Sequence, residues 1–347
     1  MTTSIGFCRN QDVGDVMQFI RDYWKEGHIL GTHRGLFDWQ YRDPAADRYN
    51  FVLCRRDSDG ELLGVLGFIP TTLYDPSLVD NAVVWLALWR VRPDSGITGL
   101  GMFLHQYLVD HTPHVSSAVS GLNKMSQRLM AGLGYRPEVL QHYYLLNPTI
   151  KSFHVARLAE PPAAAGDRSL GKSLEQVSAD FLLTHAEWAI GDRSHAVPAK
   201  SPTYFLRRFL EHPYYDYDVY AVHEGNECVG LVAVRQITHE DHRVLRLVDY
   251  WGPSDGLPGL SGALRDLVAD TGAEYIDCLC WGLREEVFIQ EGWARLDIAG
   301  DTIIPHYFEP LEMQNVQTRV AFKALTGAQF LFFKADGDQD RPSRLPA

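Results

Sequence analysis

Three glycines and a proline crowd the stretch VRPDSGITGLG, residues 91–101, where an apolar run gives way to a helical one. A strand that ends in such a turn and opens a helix aims several main-chain N–H groups at one point and adds the positive end of the helix dipole. Glycine at 96, 99 and 101 lets an anion's oxygens reach the backbone, where a Cβ would stop them. A pyrophosphate fits that cradle; a tight turn without a ligand has the same composition. Other candidate clusters are poorer. Cys8, Cys54, Cys228, Cys278 and Cys280 are an odd, scattered set that reads as reduced thiols, and the Cys278/Cys280 pair lacks two further ligands at zinc spacing. The acidic run Asp336, Asp338, Asp340 lacks the glycine and the bidentate glutamate of a calcium loop, so no metal is expected.

The elements around the cradle follow from periodicity. Val13, Val16, Met17, Ile20 and Trp24 fall at helical spacing, predicting a helix over 11–24. An irregular segment follows, then two β-rich runs about the Asp59-Gly60 turn, then NAVVWLALWRV, whose continuous apolar character suits a strand buried on both faces. Helix, strand, helix and strand complete a mixed α/β domain, expected to occupy 1–158. The small residues and prolines of 159–172 read as a linker, and in 173–347 the same order recurs. Setting Trp251 against Val91 brings Pro253 opposite Pro93, Gly259 opposite Gly99, Pro258 opposite Thr98 and Ser261 opposite Gly101. Pro258 has no N–H to donate and Ser261 narrows the approach, so the second loop is expected to have lost the cradle.

Composition sets the class of partner. The 347 residues carry a formal charge of −12, which argues against a non-specific hold on nucleic-acid phosphates and leaves small ligands as the expected partners. No stretch is apolar and long enough to cross a bilayer, and the first twenty residues lack a signal-peptide pattern, so no membrane partner is expected and the expected location is cytoplasmic.

The apolar strand, Val91, Pro93, Asp94, Gly99-Leu100-Gly101 and the helix after them resemble the acyl-CoA loop of the GNAT superfamily of N-acyltransferases. Asn123, Ser126 and the helix ending at Gly134-Tyr135 match the next GNAT motif in order and spacing. The resemblance implies two GNAT-like domains in tandem, an α/β fold with mixed sheets, the second domain without an intact acyl-CoA loop. It also implies an acyl-CoA cosubstrate: the amides of Gly96, Ile97, Thr98, Gly99, Leu100 and Gly101 hold its pyrophosphate, with Asn123 nearby, and Val91 pairs with the pantetheine arm. The Trp89 N–H would face the thioester carbonyl and stabilise charge developing there. Gly96 stands where the family usually has Arg or Gln, and Met130 where many members have a tyrosine that protonates the leaving thiolate.

In the GNAT plan the irregular segment lies over the thioester, so GHILGTHRGLFDWQY is expected to wall the acceptor pocket with His28, His33, Asp38, Trp39 and Gln40. His28 or Asp38 is the expected base for the incoming amine, although Asp38 can equally cap a helix at WQY. His142, on a strand expected near the pocket, is a further candidate. HILGTHRGLFDWQYRDP, IIPHYFEP and FFKADGDQDRPSR also resemble two-lobed GNAT relatives of surface-polysaccharide (O-antigen) synthesis, which acylate the amine of a nucleotide-linked amino-dideoxy sugar such as a dTDP-3-amino-3,6-dideoxyhexose. On that reading acetyl or 3-hydroxybutanoyl is the acyl group, and the second domain and the tail, with Lys334, Asp338 and Arg341, grip the nucleotide end. A solvated tail is the other reading of the same acidic run. Other functions compatible with the pattern are acylation of an amino acid, peptide or thiol-conjugate amine, as by mycothiol synthase, and acyl-CoA binding without catalysis. A homodimer is left open.

Overall fold

Two β-rich apolar runs about Asp59-Gly60 build the hairpin expected there, Arg48–Arg56 and Leu62–Pro70, with Gly60 in the left-handed region at φ 74°. The computed structural model describes residues 2–160, 171–184, 196–253, 257, 259–324 and 329–343; most of the expected linker, and Pro258, lie outside the described residues. In chain order the first half contains β1 (Thr3–Cys8), α1 (Val13–Tyr23), the short helices α2 (Ile29–Thr32) and α3 (Arg34–Tyr41), β2 (Arg42–Asp43), β3 (Arg48–Arg56), β4 (Leu62–Pro70), β5 (Val83–Val91), α4 (Leu100–His111), β6 (Ser116–Leu122), α5 (Lys124–Gly132), β7 (Arg136–Val139) and β8 (Gln141–Leu146). The second half adds β9 (Ser173–Gln176), α6 (Ala179–Thr184), α7 (Pro202–Phe205), β10 (Tyr217–Glu224), β11 (Glu227–His239), β12 (His242–Trp251), α8 (Ser261–Thr271), β13 (Tyr275–Trp281), α9 (Glu285–Gln290), β14 (Ala294–Arg295), β15 (Arg319–Ala324) and β16 (Phe332–Phe333).

Two mixed sheets result. The first runs β1-β3-β4-β5-β6-β15-β7, with β2 on β3; the second runs β14-β8-β13-β12-β11-β10-β9, with β16 on β13. Each has one parallel pair, β5 with β6 and β12 with β13, beside an antiparallel meander. That is the repeated plan, with one correction. β8, expected in the first domain, lies between β13 and β14, and β15 from the second half lies between β6 and β7. The two sheets therefore exchange strands, and neither is built from 1–158 or 173–347 alone.

β5 is buried on both faces as its sequence requires. Val84 and Leu86 pack beneath α4 with Leu100, Leu104 and Leu108, while Val83 and Trp85 face the other sheet. Trp85 meets Phe330 and Phe332 edge-on at centroid separations of 6.0 and 5.0 Å, inside a core drawn from both halves. The tail is part of this interior. Lys334, Ala335, Asp336 and Asp340 are buried, the Arg208 guanidinium donates to the carbonyls of Ala335 and Asp340, and Lys200 pairs with both Asp249 and Asp336. A solvated end is thereby ruled out, and a chain stopped after Phe333 would deprive Arg208 of both carbonyls and leave Lys200 with Asp249 alone.

Candidate functional site

β5 and β6 pair in parallel from Val83↔Ser116 to Leu86↔Val119 and then separate, although β5 runs on to Val91 and β6 to Leu122. A bulge drives the separation. Leu66 faces Trp89 but Phe68 faces Leu86, so Ala87 and Leu88 both sit opposite Gly67 and β5 bends. The ladder also fixes where the main chain points. The Arg92 N–H donates to the Leu63 carbonyl at 2.9 Å, and antiparallel pairs alternate, so Arg90–Val65 is the next bonded pair. Val91 lies between these pairs and Trp89 just beyond Arg90, both at non-bonded positions of the alternation, so their N–H and C=O groups point away from β4 into the open cleft.

The glycine-rich turn closes the wide end of the cleft. The Arg92 guanidinium clasps the Asp94 carboxylate at 2.9 and 2.6 Å and pairs with Glu61, pinning the base of the loop. Gly96 and Gly99 have φ of 69° and 77°, conformations that a side chain would strain. α4 starts at Leu100, and the amides of Leu100 and Gly101 belong to its first turn, where no intrahelical acceptor exists. A Cβ on Gly101 would lie 3.2 Å from the Trp89 indole nitrogen. That indole stacks on His105 at 5.6 Å, and His105 Nε2 is 2.9 Å from the Tyr135 hydroxyl, which reaches Ser117 Oγ at 2.8 Å. Burial first, then Lys323 and His114, lowers the His105 pKa and keeps this support neutral.

The cleft is a cavity of about 740 Å³. Its floor is the segment from Leu86 to Val91, its loop end is Ile97 with Gly99–Met102, and its far side is the end of β6 with Asn123, Ser126, Leu129 and Met130. Trp24, His28, Asp338, Gln339 and Arg341 close the remaining end. Of the candidate residues, Trp89, Val91, Ile97, Gly99, Leu100, Gly101, Asn123, His28, Asp338 and Arg341 thus line one cavity. Gly96 and Thr98 belong to the turn but do not line the cavity. The Asn123 carbonyl caps α5, accepting from the amides of Met125 and Ser126 at 2.9 and 2.8 Å, which leaves its amide nitrogen for a ligand. Among the described residues lining the cavity there is no tyrosine, and Met130 fills the position on α5.

Several acceptor-side expectations are corrected. Asp38 is bonded by Arg34 at 2.6 Å and by the Tyr49 hydroxyl at 2.8 Å, outside the cavity. His33 caps α3, accepting from the Leu36 amide at 3.0 Å, and its ring meets Tyr214. Trp39 packs on His212 and Tyr74, and Gln40 is buried with its amide on the Tyr41 hydroxyl. His142 rides on the exchanged strand into the second sheet, where its Nε2 is 2.8 Å from Asp277. Lys334 does not reach the cavity. His28 does, but burial, with Arg341 and Lys25, pushes its pKa down to about 3, which makes it a weak base. Its Nδ1 lies 3.2 Å from the Leu30 amide and its Nε2 3.2 Å from an Arg341 N–H, two donors of which a neutral ring can accept only one. Asp338 is the carboxylate that lines the cavity, with Oδ1 accepting from the Gln339 amide at 3.0 Å and Oδ2 3.7 Å from Arg341 Nε. Gln339 and Trp24 also line the cavity; Trp24 read only as part of the apolar spacing of the first helix, and Gln339 stood in the tail segment without a role of its own.

Among the described residues the second lobe has no open cleft at the matching place, for a reason the sequence did not reveal. β12 and β13 pair from Leu245↔Ile276 to Leu247↔Cys278, and where they separate β16 enters, pairing Phe333 with Cys280 and Phe332 with Trp281. The Ala335 N–H then donates to the Val248 carbonyl at 2.9 Å. The tail occupies the place that stays empty between β5 and β6. Ser261, opposite Gly101, is bonded to the Glu291 carboxylate, whose charge opposes an anion there.

No protein-family model matches the sequence, and no curated protein matches it. Solved structures share its fold. A GCN5-related N-acetyltransferase from Anabaena variabilis ATCC 29413 superposes with a TM-score of 0.56 at 11% identity, over 94% of this chain and 73% of that one. Another from Kribbella flavida gives 0.53 at 12% identity, over 93% and 71%. The fold is two GNAT-like domains in tandem.

Proposed function

We propose that the chain is a CoA-dependent N-acyltransferase whose chemistry is confined to the first lobe. The observation that carries this is the separation of β5 from β6, which leaves the Trp89 N–H unpaired in the same cavity as the free amides of Leu100 and Gly101. In this reading the turn 96–101 takes the CoA pyrophosphate and the pantetheine arm bonds the main chain at Val91. The thioester carbonyl accepts from the Trp89 N–H, which is fixed before the reaction and strengthens its hold as charge moves onto the oxygen. The acceptor amine attacks the thioester carbon, Asp338 removes the ammonium proton as the C–N bond forms, and the C–S bond breaks to release thiolate. A thiol with a pKa near the ~8.5 of cysteine needs little help to leave at neutral pH, so solvent can supply its proton and Met130 is no obstacle.

For the acceptor we propose the amine of a nucleotide-linked amino-dideoxy sugar, with acetyl or 3-hydroxybutanoyl as the acyl group. Its support is the resemblance of HILGTHRGLFDWQYRDP, IIPHYFEP and the tail to two-lobed relatives, together with the position of Asp338 and Arg341 at the open end of the cavity. The test is thiol release from acetyl-, butanoyl- and 3-hydroxybutanoyl-CoA, crossed with nucleotide amino sugars and with amino acids. Turnover only with amino acids replaces the acceptor. Tight CoA binding with no turnover on any amine makes the protein a binding module.

A further inference from the structure

Between the lobes the molecule buries a lysine that has no carboxylate to answer it. Lys334, 3% exposed, directs Nζ to His306 Nε2 at 3.0 Å and over the face of Tyr307, and among the described residues no carboxylate lies within ion-pair distance. Lys200, equally enclosed, has both Asp249 and Asp336. Because Nε2 of the neutral His306 ring accepts from Lys334, Nδ1 carries the hydrogen, and it too is buried without an acceptor.

Lys334 lines a recess of about 30 Å³ together with Tyr215, Arg235, Arg246, His306 and Arg341. The other charges at its walls are satisfied. Arg246 is filled by Asp277 and by the carbonyls of Pro305 and His306. Arg235 stacks on Tyr215 and reaches Asp340 at 3.1 Å and Glu309 at 3.8 Å; these two carboxylates also accept from the hydroxyls of Tyr217 and Tyr215. What remains are donors short of acceptors: His306 Nδ1–H and Arg341 Nε have none, the carboxylate nearest to Nε being Asp338 at 3.7 Å, and Lys334 Nζ has a histidine nitrogen as its partner where a cation calls for a carboxylate. Gln339 and Arg341 line both this recess and the 740 Å³ cavity, so these two side chains stand between them.

We infer that the recess is an oxyanion subsite of the acceptor: a phosphate or carboxylate binds between Lys334 and Arg341, and its tether brings the amine past Arg341 to Asp338 and the thioester. The inference rests on the acyl-transfer reading and adds to it a place where the acceptor's oxyanion is held, whichever amine bears it. Three side chains supply donors to such a group. Burial, with Arg246 and Arg235 nearby, lowers the Lys334 pKa to about 7 in the empty recess, and a bound anion favours the ammonium form.

The test is calorimetry on the full chain saturated with CoA, so that the glycine-rich turn is occupied, with inorganic pyrophosphate and succinate titrated separately. One further site is expected, weakened at least tenfold in Lys334→Met and in Arg341→Gln while CoA affinity stays within twofold. Pyrophosphate as the better ligand assigns a phosphate-bearing acceptor, and succinate a carboxylate-bearing one; either result supports the subsite. No further site for either anion, or a site unchanged in both variants, overturns it. Failure of CoA to bind counts against the acyl-transfer reading instead, and the variants still read the anion site on the CoA-free protein.

Discussion

Asp338 stands three hundred residues from Asp38, the carboxylate that sequence spacing favoured, and the difference is instructive. Asp38 lies one helical turn from Arg34 and is spent on that pair and on Tyr49, whereas Asp338 reaches the cavity because the tail threads both lobes. A base is recognised by what it faces, and only local partners can be read from a sequence. We expect Asp338→Asn to lower kcat by roughly 10²–10⁴, the usual contribution of a general base, with CoA affinity unchanged by calorimetry; a smaller loss with an acyl-CoA and its best amine returns proton removal to solvent. Lys334 allows a test in the opposite direction. Its pKa falls from 10.5 to about 7 on folding, so below pH 7 both states hold the proton and the folded state bears the whole cost of burying it. Between pH 7 and 10.5 the unfolded chain binds the proton and the folded chain does not, so stability rises with pH across that window. Asp249, raised to about 7 by burial, works the other way between pH 3.8 and 7, so the comparison must be between proteins at one pH. Lys334→Met should stabilise the protein by on the order of 2 kcal/mol at pH 6.5 and by little at pH 10.5, read from denaturant midpoints. Equal stability at pH 6.5 would mean that Lys334 already has an unseen counter-charge.

At the scale of elements, the two strand–turn–helix units show why one half of the site was legible. Strand, turn and helix are contiguous in sequence, so glycine positions and apolar periodicity report the cradle directly, and the repeat located its counterpart. The loss of the counterpart's cradle reads in sequence as the work of Pro258 and Ser261, yet β16 fills the cleft itself, and a two-residue strand about sixty residues beyond α8 carries no mark of its destination. The exchange of β8 and β15 escaped for the same reason: a strand's period tells which face is buried, not which neighbour it takes. The two units should then respond differently to the same change. Gly101→Val places a branched side chain against the Trp89 indole and over the free amides, and should weaken CoA binding on the order of a hundredfold, the loss of one or two charge-assisted hydrogen bonds at about 1.5–3 kcal/mol each. Ser261→Val should leave CoA affinity where it was, because no cleft is open there to be blocked. Two equivalent CoA sites in the wild-type protein would contradict both expectations.

For the whole molecule, the exchanged strands set how it must fold. β8 is paired on one side by β13 and on the other by β14, both from the second half, while β15 is paired by β6 and β7 from the first. A chain limited to 1–158 would expose the edges of β6 and β7 and lose Phe330 and Phe332 from the face of Trp85; one limited to 173–347 would lose the strand that joins β14 to β13. Exposed edges and an opened core disfavour each half alone. The expected result is a single denaturant transition, with tryptophan fluorescence and far-UV circular dichroism coincident even though Trp85 lies at the shared core and Trp293 deep in the second lobe. A ligand confined to the first lobe should then stabilise the second as well. At CoA concentrations a hundred times its Kd the whole transition should move by about 2.7 kcal/mol. If CoA shifts an early or a late phase and leaves the other in place, the lobes unfold independently, and the strand exchange is a topological detail that does not bind them energetically.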